Sequence, residues 1–128
     1  MQYYISKKIS SGFDQAIQLV TDALKKEGFG ILTEINVREK MKEKLDVDFR
    51  KYMILGACNP QYAYKALLQE DKIGTMLPCS VIVQELGDNE IEVAAIDPVA
   101  SMLAVENKEV ALIAGEIREM LGRAIASL

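Results

Sequence analysis

The sequence predicts an α+β fold in which helices pack on an antiparallel sheet of about five strands. Half of its 128 residues are hydrophobic, which suffices for one domain with its own core over residues 1–128. Apolar residues alternate in some segments, as in strands, and recur every three or four positions in others, as in helices. The last two strand-like segments flank Gly87-Asp88-Asn89, a tight-turn sequence, so they must run antiparallel.

The first half of the chain contains two strand-like and two helix-like segments. Apolar and polar residues alternate over residues 2–9, which predicts a half-buried strand. Ser11, followed three positions later by an acid, resembles a capping box and predicts a helix that ends near Gly28. The chain should continue with a strand at 29–35 and a short exposed helix at 37–45.

In the second half, Asn59 and Pro60 are typical of a helix start and separate a strand from a helix. The final 20 residues have a broad apolar face and predict a long helix. Between them we expect a strand at 52–58, a loop at 72–78, strands at 80–86 and 90–96, and a short turn or helix from Pro98.

Charge and histidine content exclude several functions. The chain has no histidine, which rules out Ser-His-Asp and Cys-His catalysis and every metal site that needs a histidine ligand. Its 15 basic and 19 acidic residues give a net charge of −4, which does not favour a nucleic-acid-binding surface. The N-terminal residues lack a signal pattern and no apolar run is long enough for a membrane span, so we expect a cytoplasmic protein.

The most distinctive features are the segments Leu55–Pro60 and Ile73–Cys79, which each contain a cysteine. Cys58 precedes a predicted helix N-terminus, where unpaired N–H groups would favour the thiolate and lower the thiol pKa. If the sheet places the start of the next strand beside it, both sulfurs face one pocket for a small-molecule or anionic ligand. The candidate ligand-binding residues are Cys58, Asn59, Gly74, Pro78 and Cys79.

The two cysteines allow three interpretations. In the first, they are inert packed side chains, as unpaired cysteines commonly are, and the protein is a structural interaction module that docks another protein through its sheet face or last helix. Alternatively they bind a metal such as zinc together with Glu85 or Asp97, or as four cysteines across a dimer. In the third, Cys58 is the nucleophile of a thiol enzyme or redox protein and Cys79 its resolving partner.

A stripe of small residues on the last helix bears on oligomeric state. The stripe consists of Ala111, Gly115, Gly122 and Ala126. Small side chains allow another element to approach closely, either the protein's own sheet or a second copy of the chain. We expect a homodimer.

Together these segments resemble the domain of unknown function 302 family. The resemblance covers nearly the whole chain and includes the Ser11-Gly12-Phe13 helix start and the Asp97-Pro98 pair after the last strand. It implies a bacterial or archaeal protein with a curved antiparallel sheet and a topology similar to the TATA-binding protein: strand, helix, four strands, helix. The family implies no particular reaction, and a shared fold does not transfer DNA binding.

Overall fold

Residues 2–128 are described by a computed structural model, which confirms the predicted order of strand, helix, four strands and helix, with short helices inserted. The elements are β1 (Tyr4–Ser10), α1 (Phe13–Lys26), β2 (Gly30–Asn36), α2 (Val37–Leu45), β3 (Tyr52–Cys58), α3 (Pro60–Gln69), a 3₁₀ helix (Asp71–Met76), β4 (Cys79–Gly87), β5 (Glu90–Ile96), α4 (Pro98–Ser101) and α5 (Lys108–Ala126).

The five strands form one open antiparallel sheet in the order β1-β5-β4-β3-β2. Alternate residues of β1, β3, β4 and β5 face the helices and form the core, including Leu55, Val81 and Val93, which are fully buried. Helices α1 and α5 supply the opposite side of this core through apolar residues at three- and four-residue spacing. The predicted α+β class with an antiparallel sheet is therefore confirmed.

Lys7 interrupts the apolar side of β1, where its side chain binds the C-terminal end of α5. Its cross-strand partner is Val93, so its side chain starts on the core face. The ammonium group donates hydrogen bonds to the backbone oxygens of Ala126, at 2.9 Å, and of Leu128. A cation at a helix C-terminus satisfies carbonyls that lack intrahelical partners, so Lys7 fastens α5 to β1.

Two local predictions need correction. The N-cap of α1 is Gly12, and the Ser11 hydroxyl donates to the Gly12 carbonyl instead of capping the helix. The capping-box assignment was therefore one residue early, and Ser11 is buried beside the β4–β5 turn, where its N–H donates to the Asn89 carbonyl. The expected loop at 72–78 contains a 3₁₀ helix over most of its length.

Candidate functional site

The two distinctive segments pack on each other at one end of the sheet. Ala57 and Cys79 are cross-strand partners at the end of β3 and the start of β4. A Cβ atom built on Gly56 would lie 2.2 Å from Thr33 Oγ1 and 2.8 Å from Pro78 Cγ. The glycine of the first segment thus leaves the space that the proline of the second occupies.

Asn59 is the N-cap residue of α3, but its side chain makes no capping hydrogen bond. Instead, its amide nitrogen donates to the Glu27 carbonyl at the end of α1, at 3.4 Å. Gly28 has a φ of +89°, and a Cβ there would approach the Asn59 amide to 3.0 Å. Asn59 therefore connects α3 to the end of α1, which is a packing role.

Both cysteines line a cavity between the strand ends, α3 and α5. Its volume is about 30 Å³, close to that of one water molecule. The lining is almost entirely apolar, and Cys79 is more deeply buried than Cys58. The lining residues are Phe29, Ala57, Cys58, Asn59, Tyr62, Ala63, Ala66, Leu77, Pro78, Cys79, Pro98, Met102, Val110, Ile113, Ala114 and Ile117.

Four of the five candidate ligand-binding residues line one cavity, namely Cys58, Asn59, Pro78 and Cys79. The fifth, Gly74, and the candidate metal ligand Glu85 lie elsewhere. Gly74 is exposed on the 3₁₀ helix and does not line the cavity. Glu85 lies six residues from Cys79 along β4, about 20 Å at the usual rise per strand residue, so it cannot join the cysteines around one metal ion. Within residues 2–128, no three Cys, Asp or Glu side chains form a group that would hold a metal ion.

Comparison with known proteins identifies the family. Residues 5–128 match the family model described as domain of unknown function DUF302. The chain belongs to the DUF302 family. A crystal structure of an uncharacterized conserved DUF302 protein from Bacillus stearothermophilus is similar to this DUF302 chain with a TM-score of 0.90. The two are 28% identical, and the match covers 98% of each chain. No curated protein matched the sequence, and among the described helices none is long and apolar enough to cross a membrane.

The environment of the two thiols differs from the expectation for a reactive cysteine. Burial raises the pKa of the Cys58 thiol, whereas the helix-start argument predicted a lowered pKa. Burial, together with the nearby Cys58, raises the pKa of Cys79 from 9.0 to about 11. Apolar surroundings disfavour the charged thiolate, and with both pKa values raised above 9.0 the two thiols are protonated at neutral pH.

The raised pKa of Cys79 predicts a pH-dependent stability for this DUF302 protein. Below pH 9.0 the thiol is protonated in both folded and unfolded chains, so its contribution to the free energy of unfolding is fully present. Between pH 9.0 and about 11 only the unfolded chain releases the proton, so the free energy of unfolding should fall. A shift of about two pKa units corresponds to a loss of about 2–3 kcal/mol.

This loss can be measured by denaturant unfolding across that pH window, comparing wild type with Cys79→Ala. The difference between the two proteins cancels lysine and tyrosine titration, and the steeper fall of wild type should be absent from Cys79→Ala. Cys58→Ala, the matched control, should retain most of the fall because Cys79 remains. Equal pH dependence of wild type and Cys79→Ala would show that Cys79 is not desolvated as described.

Sequence reasoning did not single out the outer wall of the cavity. Tyr62 and Ile113 line the cavity and also a groove of about 260 Å³ between α3 and α5. In the sequence, Ile113 lies on the apolar face of the last helix. That position is equally consistent with a core residue and with a residue that lines a cavity. Only the packing of α3 against α5 shows that these two side chains line both the cavity and the groove.

Proposed function

We propose that this DUF302 chain is a binding module that holds the apolar end of a small molecule in the cavity beside Cys58 and Cys79. The observation that carries the proposal is the cavity itself, an unfilled apolar space at the junction of the two distinctive segments. Interiors normally close such gaps, because a void forfeits contacts along its whole lining. With both thiols protonated, the cysteines act here as small apolar surfaces and not as nucleophiles.

The size of the cavity determines how a ligand would enter. Pockets for small molecules usually measure several hundred Å³, whereas this cavity of about 30 Å³ admits one atom-sized or water-sized guest. A larger ligand must displace part of the wall. Tyr62 and Ile113 are the side chains whose movement would join the cavity to the groove of about 260 Å³ outside.

The rim of that groove indicates the class of ligand. Leu68 and Leu112 supply apolar surface. Two carboxylates, of Glu109 and Glu116, and one ammonium group, of Lys65, also line the groove, so negative charge predominates. The Glu116 carboxylate raises the pKa of the Tyr62 hydroxyl, by hydrogen bonding and by its charge, so it lies close to the wall. The groove therefore suits an amphipathic ligand with an apolar chain for the cavity and a cationic or hydrogen-bond-donating head for the carboxylates.

Hexylamine is a suitable probe, and hexanoate is its counterpart with the opposite charge. We expect hexylamine to shift the amide NMR resonances of Ala57, Cys79 and Ala114, and hexanoate to bind more weakly. Ala114→Val places added methyl groups in the cavity and should weaken hexylamine binding at least about tenfold, because methylene-sized changes in apolar pockets have effects of this order. Ala111→Val makes the same change on the exposed side of α5 and should leave binding unchanged.

Two results would overturn the proposal. The first is that hexylamine leaves the resonances of the cavity residues unshifted in wild type. The second is that Ala114→Val, shown to be folded by circular dichroism, binds hexylamine as tightly as Ala111→Val does.

A further inference from the structure

The side of the sheet that faces away from α1 and α5, here called the open face, has an apolar row across four strands. Ala94, Ile82, Ile54 and Ile35 are successive cross-strand partners on β5, β4, β3 and β2. The first three are half-buried and Ile35 is exposed. Apolar side chains in register across a sheet are typical of a surface that is covered by another layer.

The open face also has a groove of about 380 Å³, which includes Ile82 and Ala94 of this row. Its other lining residues belong to strands as well, except Tyr3. Tyr4, Tyr52 and Ile96 contribute apolar surface to the groove, and Gln84 and Glu92 contribute polar groups. Tyrosine is enriched at protein interfaces because its ring is apolar and its hydroxyl is polar. The open face thus combines an apolar centre with a polar margin, as interfaces do.

Charge indicates which partner fits. The chain as a whole has a net charge of −4. On the open face, however, the two basic residues Lys8 and Arg50 balance the charge of the two acidic residues Glu90 and Glu92. Lys8 is the cross-strand partner of Glu92, and the Arg50 guanidinium donates to Gln84, at 2.9 Å, which itself donates to Glu92, at 2.8 Å. The face therefore adds no net charge to a contact, so two copies of this acidic chain meet less repulsion through this face than through an acidic one. Nucleic acid would meet the two carboxylates.

The area of the face sets the strength of such an association. Five strands about 4.8 Å apart and seven residues long, at about 3.3 Å per residue, span about 550 Å². A stable interface buries about 800 Å² on each partner, and transient ones bury less than about 600 Å². The open face therefore provides enough surface for a reversible dimer that dissociates on dilution, but not for an obligate one.

We propose that two copies of this chain associate face to face through the open face, about a two-fold axis that passes near Ile82. Ile82 lies on the central strand and in the apolar row, so the axis brings the two copies of this residue together. The cavity lies on the other side of the sheet, among α3 and α5, so association through the open face does not involve it.

Sedimentation equilibrium or light scattering of the full chain over a wide concentration range tests the association. The weight-average mass should rise towards twice the monomer mass as concentration increases. Ile82→Glu sets two carboxylates against each other at the axis, and Ala94→Glu introduces a charge beside it. Each should weaken dimerisation at least about 100-fold, because facing like charges at an interface cost several kcal/mol.

Matched controls distinguish the open face from the other exposed apolar surface. Leu112→Glu changes a leucine of α5 that is 63% exposed, and Gly115→Leu fills the small-residue stripe of that helix. Both should dimerise as wild type does. A thermal melt of every variant shows that the monomer is folded.

Three results would overturn the proposal. They are a monomer at every concentration, a dimer that folded Ile82→Glu and Ala94→Glu variants retain, and a dimer lost in Leu112→Glu or Gly115→Leu but not in the open-face variants. A monomer that instead binds nucleic acid or another protein through this face would reject the second copy as its occupant.

Discussion

Gly56→Ala is expected to lower the free energy of unfolding by about 3 kcal/mol, the upper range for an added methyl group in a well-packed site. The new Cβ would lie 2.2 Å from Thr33 Oγ1 and 2.8 Å from Pro78 Cγ, distances that non-bonded atoms do not adopt. Thr33 can relieve its contact by rotating, but the proline ring on the other side is rigid. β2, β3 or the start of β4 must therefore shift. Chemical denaturation of the purified variant measures the change.

Gly115→Ala is the matched control for this prediction. A Cβ at Gly115 meets no atom within 4 Å, and the residue lies inside α5. Alanine in a helix interior is favoured over glycine by about 0.5–1 kcal/mol, so this variant should be more stable than wild type. The same chemical change should thus have opposite signs at the two positions.

Thr33→Ala separates the two contacts at Gly56. In the Thr33→Ala, Gly56→Ala double variant the hydroxyl contact is absent and the Pro78 contact remains, so part of the lost stability should return. A coupling energy near zero would mean that Thr33 rotates away without cost. A wild-type-like stability of Gly56→Ala itself would contradict the description of the whole junction.

Arg118→Met is expected to lower the free energy of unfolding by about 2 kcal/mol. The Arg118 guanidinium donates to Asp97 Oδ2, at 2.9 Å, and the Asp97 side chain is only 9% exposed against 56% for Arg118. Removing the arginine leaves a buried carboxylate without its cation. Breaking a fully buried pair in this way costs about 3–5 kcal/mol, and the exposure of Arg118 reduces that figure.

Asp97→Asn tests the same pair from the other side. The other carboxylate oxygen accepts the Val99 N–H and caps α4, at 2.9 Å, and an asparagine oxygen can do the same. The charge is then absent, and the exposed arginine regains water, so the loss should be only about 1 kcal/mol. In the Asp97→Asn, Arg118→Met double variant no buried charge remains, and the loss should be smaller than the sum of the two single losses.

Glu43→Gln provides the control for an exposed pair. Glu43 and Lys40 form an ion pair on α2 with both side chains more than half exposed, so the substitution should change stability by less than about 0.5 kcal/mol. Two results would show that burial of Asp97 does not govern the loss of stability. One is that the stability losses of Asp97→Asn and Arg118→Met add up in the double variant, and the other is that Glu43→Gln loses as much stability as Arg118→Met.

Much of the fold followed from local sequence patterns. The predicted bounds of α2 and β3 coincide with those of the structure, and the β4–β5 turn is closed by Asn89 with a φ of +57°. These features depend on side-chain periodicity and on backbone preferences within a few residues, which the sequence states directly. The capping box at Ser11 was misplaced because serine and glycine both serve as N-cap residues, and only the hydrogen bonds distinguish them.

The candidate site was predicted in part. Antiparallel pairing of β3 with β4 places Cys58, Pro78 and Cys79 around one cavity. Glu85 lies near the opposite end of β4, far from that cavity. The direction of the Cys58 pKa was predicted wrongly, because the sequence shows the helix start beside the thiol but not the apolar side chains that remove water from it.

Most of the secondary-structure elements, the α+β class, the family and the lack of histidine could thus be read from the sequence alone, since each depends on composition or on neighbouring residues. The folded chain was needed to show that Pro78 occupies the space left by Gly56, that Lys7 reaches the end of α5, and that burial raises the pKa of both thiols. These properties depend on distances and on exclusion of water between segments far apart in the chain, and both arise only when the sheet and helices pack.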